Sequence, residues 1–301
     1  MSSNILVTGG NGLLGHCIDF GIKPTRSQLD LYNFDQLCHF IENNNVSKLV
    51  HLAAKVGGVS ANSKSPYDFL IDNLQINLNI LKACQKYSLN NSIFMLSGCI
   101  FPKDAKNPLL NEYLLQGEPH PSNYGYAHGK RILSIGSKCL KTQFNIKTSC
   151  IIPSNMYGLN DNYNLNDSHV IPGLIHKTYL AKLSNTNLEV WGSGKAQREF
   201  VFAQDVADLL KIMLDNEIPE QIIISTGICY SIEEIVTNIA KIMGFHGNIV
   251  FDKSKPEGMM IRSSHDITIN KLFPDFNFTS IEDGLNSTIE YFIKNYNLLR
   301  K

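Results

Sequence analysis

A bias toward either sign of charge is missing from this chain. Lysine plus arginine and aspartate plus glutamate number 27 each among 301 residues, for a formal net charge of +0. Such a balance provides no basic field for nucleic acid or an anionic membrane, so an anionic ligand must be held by local charges. No apolar run reaches membrane-spanning length, and no basic leader precedes an apolar core at the N-terminus. The expectation is a cytoplasmic protein with neither membrane nor nucleic acid as partner. The seven cysteines include no CxxC pair, and their odd number argues for reduced thiols rather than a disulfide framework. The nine histidines lack metal-ligand spacing, and no metal is expected. Internal repeats and long low-complexity linkers are also absent. What remains, at 43% hydrophobic and 18% charged residues, is a globular chain long enough for one large or two modest domains.

The first positive signal is near the N-terminus. Asn4-Ile5-Leu6-Val7-Thr8 reads as a short buried strand, and Gly9-Gly10-Asn11-Gly12-Leu13-Leu14-Gly15 follows at once. Glycines at Gly9, Gly12 and Gly15 permit a tight strand-to-helix turn and let a pyrophosphate approach backbone N–H groups. This predicts dinucleotide binding. The next part of such a fold is abbreviated here. His16 to Phe20 supplies barely more than a turn before Gly21, and Pro24 interrupts what should be the second strand. Where an acid for an NAD ribose would stand, the chain has Arg26, which suits a 2′-phosphate and hence NADP. The alternative for Arg26 is a solvated loop residue.

Downstream, the pattern alternates. Helices are predicted over Leu37 to Glu42 and Pro66 to Tyr87, and strands over Lys48 to Ala54, Ser92 to Leu96 and Thr148 to Ile152. This rhythm predicts an α/β fold: a Rossmann-type doubly wound parallel sheet with a smaller C-terminal α/β substrate domain. Residues 1–158, with about 203–226, would bind the cofactor. Residues 159–202 and 227–301 would bind substrate. Leu52, Ala53 and Ala54 fall at a strand's C-terminal end, where small residues allow close approach of a cofactor. The Asn160 to Ser168 run reads as a flexible loop, and helices follow over Asp205 to Leu214, Ile232 to Met243 and Ile281 to Asn295.

The residues with chemistry gather at the strand ends. Tyr126 and Lys130, four apart, share one helix face. An ammonium beside a phenol favours phenolate, so Tyr126 is expected to have a lowered pKa and to trade a proton with an alkoxide. Ser97 can hydrogen-bond a substrate carbonyl beside it. Cys99, two residues on, is either a small buried hydrophobe or a thiolate base for a carbon next to a ketone. His169, at a helix start, is a candidate acid or a capping residue. Trp191, the single tryptophan, and Arg198 suit a nucleotide base and a diphosphate. Lys255 sits in a second candidate phosphate loop, Asp252 to Gly258.

With these residues in view, the chain resembles the extended short-chain dehydrogenase/reductases, and within them the GDP-L-fucose synthase family of GDP-4-keto-6-deoxymannose 3,5-epimerase/4-reductases. The resemblance is carried by Ala53-Ala54-Lys55-Val56-Gly57-Gly58, Ser97-Gly98-Cys99-Ile100-Phe101-Pro102, Asn166 to Pro172 and Trp191-Gly192-Ser193-Gly194. It implies that Tyr126 protonates the C4 alkoxide, Lys130 lowers the tyrosine pKa and holds the nicotinamide ribose, and Ser97 polarises the C4 carbonyl. Cys99 and His169 would be base and acid for epimerisation at C3 and C5. NADPH would lie along Gly9, Gly12, Leu13, Gly15, Arg26, Leu52 to Ala54, Lys130, Pro153, Asn155, Met156 and His169. Arg198 and Lys255 would hold the GDP-sugar with Trp191 and Lys177, the last standing where the family has an arginine. The resemblance also implies a homodimer and a role in nucleotide-sugar biosynthesis for surface polysaccharide. A relative acting only as a C4 reductase on a GDP-4-keto-6-deoxy-heptose is the alternative, with epimerisation done by a separate enzyme. A catalytically silent NADP-sensing or scaffold protein is another, against which the Tyr126/Lys130 pair speaks.

Overall fold

Short apolar runs, each followed by a helix that must cover them, determine the architecture. The computed structural model describes residues 4–255, 257–264, 268–299 and 301. In chain order the first elements are β1 (Ile5–Thr8), α1 (Leu13–Cys17), α2 (Phe34–Asn43), β2 (Lys48–His51), α3 (Val59–Lys64), α4 (Pro66–Tyr87) and β3 (Ser92–Met95). Then come α5 (Tyr124–Phe144), β4 (Thr148–Pro153), β5 (Asn155–Tyr157), α6 (Val170–Ser184), β6 (Leu188–Trp191) and β7 (Gln197–Phe202). The chain continues through α7 (Ala203–Leu214), β8 (Gln221–Ile224), β9 (Cys229–Ser231), α8 (Ile232–Ile242) and β10 (Ile249–Asp252). It ends with β11 (Ile261–Arg262), α9 (Thr268–Leu272) and α10 (Ile281–Asn295).

Strands β1, β2, β3, β4 and β8 lie side by side in that order, every pairing parallel. A parallel sheet needs both faces covered, and neighbouring residues of one strand serve opposite faces. Leu6, Leu49, Phe94 and Ile152 accordingly pack with Ile80 of α4 and Leu133 of α5. Val7, Val50, Ile93 and Ile151 pack on the other face with Val206 and Leu210 of α7. The abbreviated region is visible beside β1. Its strand is reduced to a single bridge between Leu6 and Ile22, where Val7 N donates to Ile22 O at 2.9 Å. Pro24, with no N–H, cannot extend it.

Two departures from the sequence expectation bear on the site. β2 ends at His51, so Leu52 to Ala54 run on as irregular chain; Leu52 N and Ala53 N are instead bonded to the Thr8 carbonyl and hydroxyl, each at 3.3 Å. The Asn160 to Ser168 run is closed by its own side chains rather than left open. Asn162 Nδ2 donates to Asp167 Oδ1 at 2.8 Å, and Asn164 and Asn166 backbone N–H groups bond to Asn162 and Asn164 Oδ1.

Helices α4 and α5 pack at unusually close range. A β-carbon on Gly125 would run into the Pro66 carbonyl, and one on Gly129 would come 2.8 Å from Asn73 Cβ. Each glycine precedes a proposed catalytic residue, so the close approach sets where Tyr126 and Lys130 stand. In the second half β6 pairs with β10, while β7 pairs in parallel with β5 and β11 and antiparallel with β9. Tyr157, Leu188, Phe200, Ile235, Leu285 and Phe292 form its core. A capping box between Ser231 and Glu234 starts α8. No helix among the described residues is long and apolar enough to cross a membrane.

Candidate active site

A cleft of about 660 Å³ opens at the C-terminal ends of β1 and β2. The glycine turn forms one wall. Gly9 has φ +73°, which favours glycine, and a β-carbon there would come 2.7 Å from Ala53 N. The groove between turn and Ala53–Ala54 therefore exists only because both sides are small. Its volume and bare backbone fit a dinucleotide. Gly9, Gly12, Arg26, Ala53 and Ala54 line the cleft; Leu13, Gly15, Leu52, Lys130, Pro153, Asn155, Met156 and His169 do not. Gly15 packs its α-carbon against the Gly9 carbonyl. Asn155 Nδ2 is bonded to Glu199 O at 2.8 Å, and Met156 packs on the sheet core.

Sequence reasoning missed Tyr32, Lys55 and Asp72 on the cleft wall. Lys55 Nζ is paired with Asp72 Oδ2 at 2.6 Å, and Arg26 lies over the Tyr32 ring at 5.6 Å. Arg26 makes no ion pair among the described residues.

The second group of residues sits where β3 ends. Ser97 caps a 3₁₀ turn, Gly98–Ile100, and its Oγ accepts from the Cys99 thiol at 3.3 Å and from Cys99 N at 3.5 Å. Tyr126 reaches the same hydroxyl from α5, and that hydrogen bond favours phenolate. The bond is outweighed. Burial, first, and the nearby Cys99 push the phenol pKa above its ordinary value. The Lys130 Nζ is buried and donates to the Met95 carbonyl at 2.8 Å. The expected lowering of the Tyr126 pKa by Lys130 is thus corrected, because desolvation dominates and the ammonium is turned toward the sheet. The same burial lowers the Lys130 pKa to about 8. Burial also raises the Cys99 thiol, opposed by Ser97, Arg262 and Lys130 in that order.

A chain of buried hydrogen bonds joins the two groups. Ala53 N donates to Thr8 Oγ1, and the threonine hydroxyl contacts His51 Nδ1 at 2.8 Å. His51 Nε2 contacts Asn77 Oδ1 at 3.0 Å, and Asn77 Nδ2 donates to the Gly129 carbonyl at 2.7 Å. These contacts are all satisfied by a neutral imidazole protonated on Nε2, and burial lowers the His51 pKa to about 3.

The remaining predicted residues divide into two sets. Lys177 and Lys255 lie over the Trp191 ring at 4.9 and 5.9 Å. Pro256 of the Lys255 loop is outside the described residues. Arg198 does not join that ring; β7 sets it opposite Arg262 of β11, and burial and Arg262 lower its pKa. His169 occupies the N-cap position of α6. His169 is exposed, yet the protein around it desolvates the ring enough to lower its pKa, Asp167 opposing. No hydrogen bond among the described residues links His169 to Ser97, Cys99 or Tyr126.

Arranged thus, the chain offers a dinucleotide cleft next to a hydroxyl, thiol and phenol that converge, with two cationic groups further out. Known proteins are similar to this chain over nearly its whole length. The GDP-L-fucose synthase of Dictyostelium discoideum is 36% identical over 311 residues, covering 99% of this chain and 97% of its own. A solved GDP-L-fucose synthetase from Naegleria fowleri bound to NADP superposes with a TM-score of 0.91 at 32% identity, over 100% of this chain and 95% of its own. A GDP-6-OMe-4-keto-L-xylo-heptose reductase from C. jejuni follows at 0.88 and 26%, over 97% and 98%. Residues 20–225 match the sequence pattern of one family. By that match and by these relatives, the chain belongs to the NAD dependent epimerase/dehydratase family.

Proposed function

We propose that this protein reduces the C4 ketone of a GDP-4-keto-deoxy sugar with NADPH and epimerises C3 and C5 in the same pocket. The observation that carries the reading is the approach of Cys99 and Tyr126 to the Ser97 hydroxyl at the end of β3. Gly9, Gly12, Ala53, Ala54 and Arg26 would hold NADPH, whose chemistry when bound is to supply the reducing equivalent to C4. The Tyr126 hydroxyl donates its proton to the developing C4 alkoxide, and Ser97 Oγ donates a hydrogen bond to the same oxygen. A raised phenol pKa suits this direction of transfer, since Tyr126 then starts as a proton donor. The ketone acidifies the protons on C3 and C5. Cys99 removes them as thiolate, and His169 returns a proton from the opposite face.

Residues 1–158 with about 203–226 would serve the cofactor, and residues 159–202 and 227–301 the sugar nucleotide. Trp191 with Lys177 and Lys255 suits the guanine end, and Arg198 the diphosphate. Tyr67, Ile71 and Leu78 of α4 and Ile135 of α5 are exposed apolar residues on two packed helices, which supports a homodimer. Seven free thiols suit a reducing, cytoplasmic setting, and the product class suits surface polysaccharide.

A second reading is reduction alone, on a keto-heptose, with epimerisation elsewhere. The raised Cys99 pKa and the likeness to the heptose reductase favour it. Turnover in deuterated water separates the two. Loss of reduced nicotinamide absorbance with deuterium at C3 and C5, abolished in Cys99→Ser, supports the full reaction. Turnover without deuterium supports reduction alone, and no turnover with either sugar class rejects both.

A further inference from the structure

The segment from Glu257 to Ser264 has no part in that chemistry, yet it delivers a guanidinium to the catalytic turn. β11 sets Arg262 directly opposite Arg198, a like-charge pairing that costs stability on neighbouring strands. The strand is nonetheless firmly held. Asn107 Nδ2 donates to Ile261 O at 3.1 Å and Asn107 Oδ1 accepts from Ser263 N at 3.0 Å. Leu109 N donates to Ser263 O at 2.8 Å, and Ser264 Oγ to Glu199 Oε2 at 2.6 Å. What these anchors position is visible at Gly98. A β-carbon there would come 3.2 Å from Arg262 Nη2, so the guanidinium lies on the backbone of the turn that carries Cys99.

Building on the reading of Cys99 as a base, we infer that Arg262 is a positioning residue for Cys99, lying on Gly98 and holding a permanent positive charge beside the sulfur. The groups facing that sulfur are Ser97 on its own turn, Tyr126, Lys130 and Arg131 on α5, and Arg262 on β11. Among the cations, Arg262 acts on the sulfur before Lys130, whose own pKa burial lowers to about 8, and Arg131 donates through Nε to the Ile100 carbonyl at 2.8 Å. An arginine keeps its charge throughout. Arg262 is therefore the permanent charge with the greatest effect on the Cys99 sulfur, ahead of Lys130.

The test is the pH profile of iodoacetamide alkylation at Cys99 in the full-length protein, followed by peptide mass spectrometry. In Arg262→Gln the midpoint should rise by about one pH unit, the lower end of what an opposite charge at this range produces. Arg262→Lys should recover part of the shift. The buried Cys84 and Cys150 should stay protected from alkylation, which reports that the variant is folded. Should Arg262→Gln fail to fold, Gly98→Ala displaces the guanidinium instead, at a φ that alanine tolerates, and should raise the midpoint by a smaller amount. An unchanged midpoint would overturn the inference, and a raised KM for the sugar nucleotide beside it would make Arg262 a substrate ligand instead. A shifted midpoint in an enzyme that incorporates no solvent deuterium would uphold it while rejecting Cys99 as an epimerising base.

Discussion

Cofactor choice at the scale of the residue comes down to Arg26. Two cations stand on the cleft wall, and Lys55 is already paired with Asp72 at 2.6 Å. Arg26 keeps its fork of donors exposed over the Tyr32 ring, where a 2′-phosphate can take two of them. A charge-assisted contact contributes roughly 1.5–3 kcal/mol. Arg26→Ser should therefore weaken NADPH binding by about 10- to 100-fold in a calorimetric titration, with NADH binding unchanged. Equal loss for both cofactors would show that Arg26 supports the loop instead. The residue was legible because it interrupts a known pattern. Arg262 was not: nothing in Met259-Met260-Ile261-Arg262 is periodic, and its partner Gly98 lies far off in sequence.

At the scale of the element, legibility followed length and capping. α4 was readable to its ends, because Pro66 opens it, Asp68 and Lys86 suit its dipole, and Ser88 closes it in a left-handed conformation. β5, β9 and β11 have two or three residues each, too few for any period, and exist only through pairing with β7. The His51 chain was likewise hidden, although it ties β1 and β2 to α4 and α5. Its sign with pH is fixed. The imidazole pKa falls from 6.5 to about 3 on folding, so the unfolded chain binds the extra proton between those values. The contribution is complete above pH 6.5 and is lost as pH falls toward 3, at ~1.4 kcal/mol per unit. Urea midpoints of the native protein should drop through this window more steeply than those of His51→Asn, which should be less stable at neutral pH. Parallel slopes would mean that the ring is already charged in the native state.

On the scale of the whole molecule, a sheet edge built from one half meets charged strands from the other. The alternation of strands and helices made the sheet legible, and the glycine turn made the cleft legible. The chemistry was legible as residue types but not as electrostatics, since burial at the junction reverses the direction expected for Tyr126. The consequence is a phenol that begins as an acid, and the account stands on its giving a proton to the C4 oxygen. The most direct test supplies NADPH deuterated at the transferring nicotinamide position, with a GDP-4-keto-deoxyhexose, and reads the product by NMR. The native protein should place deuterium at C4, and Tyr126→Phe should bind NADPH as before while losing about 10²- to 10⁴-fold in kcat. Deuterium reaching C4 at an undiminished rate in Tyr126→Phe, or never reaching it in the native protein, would contradict the account.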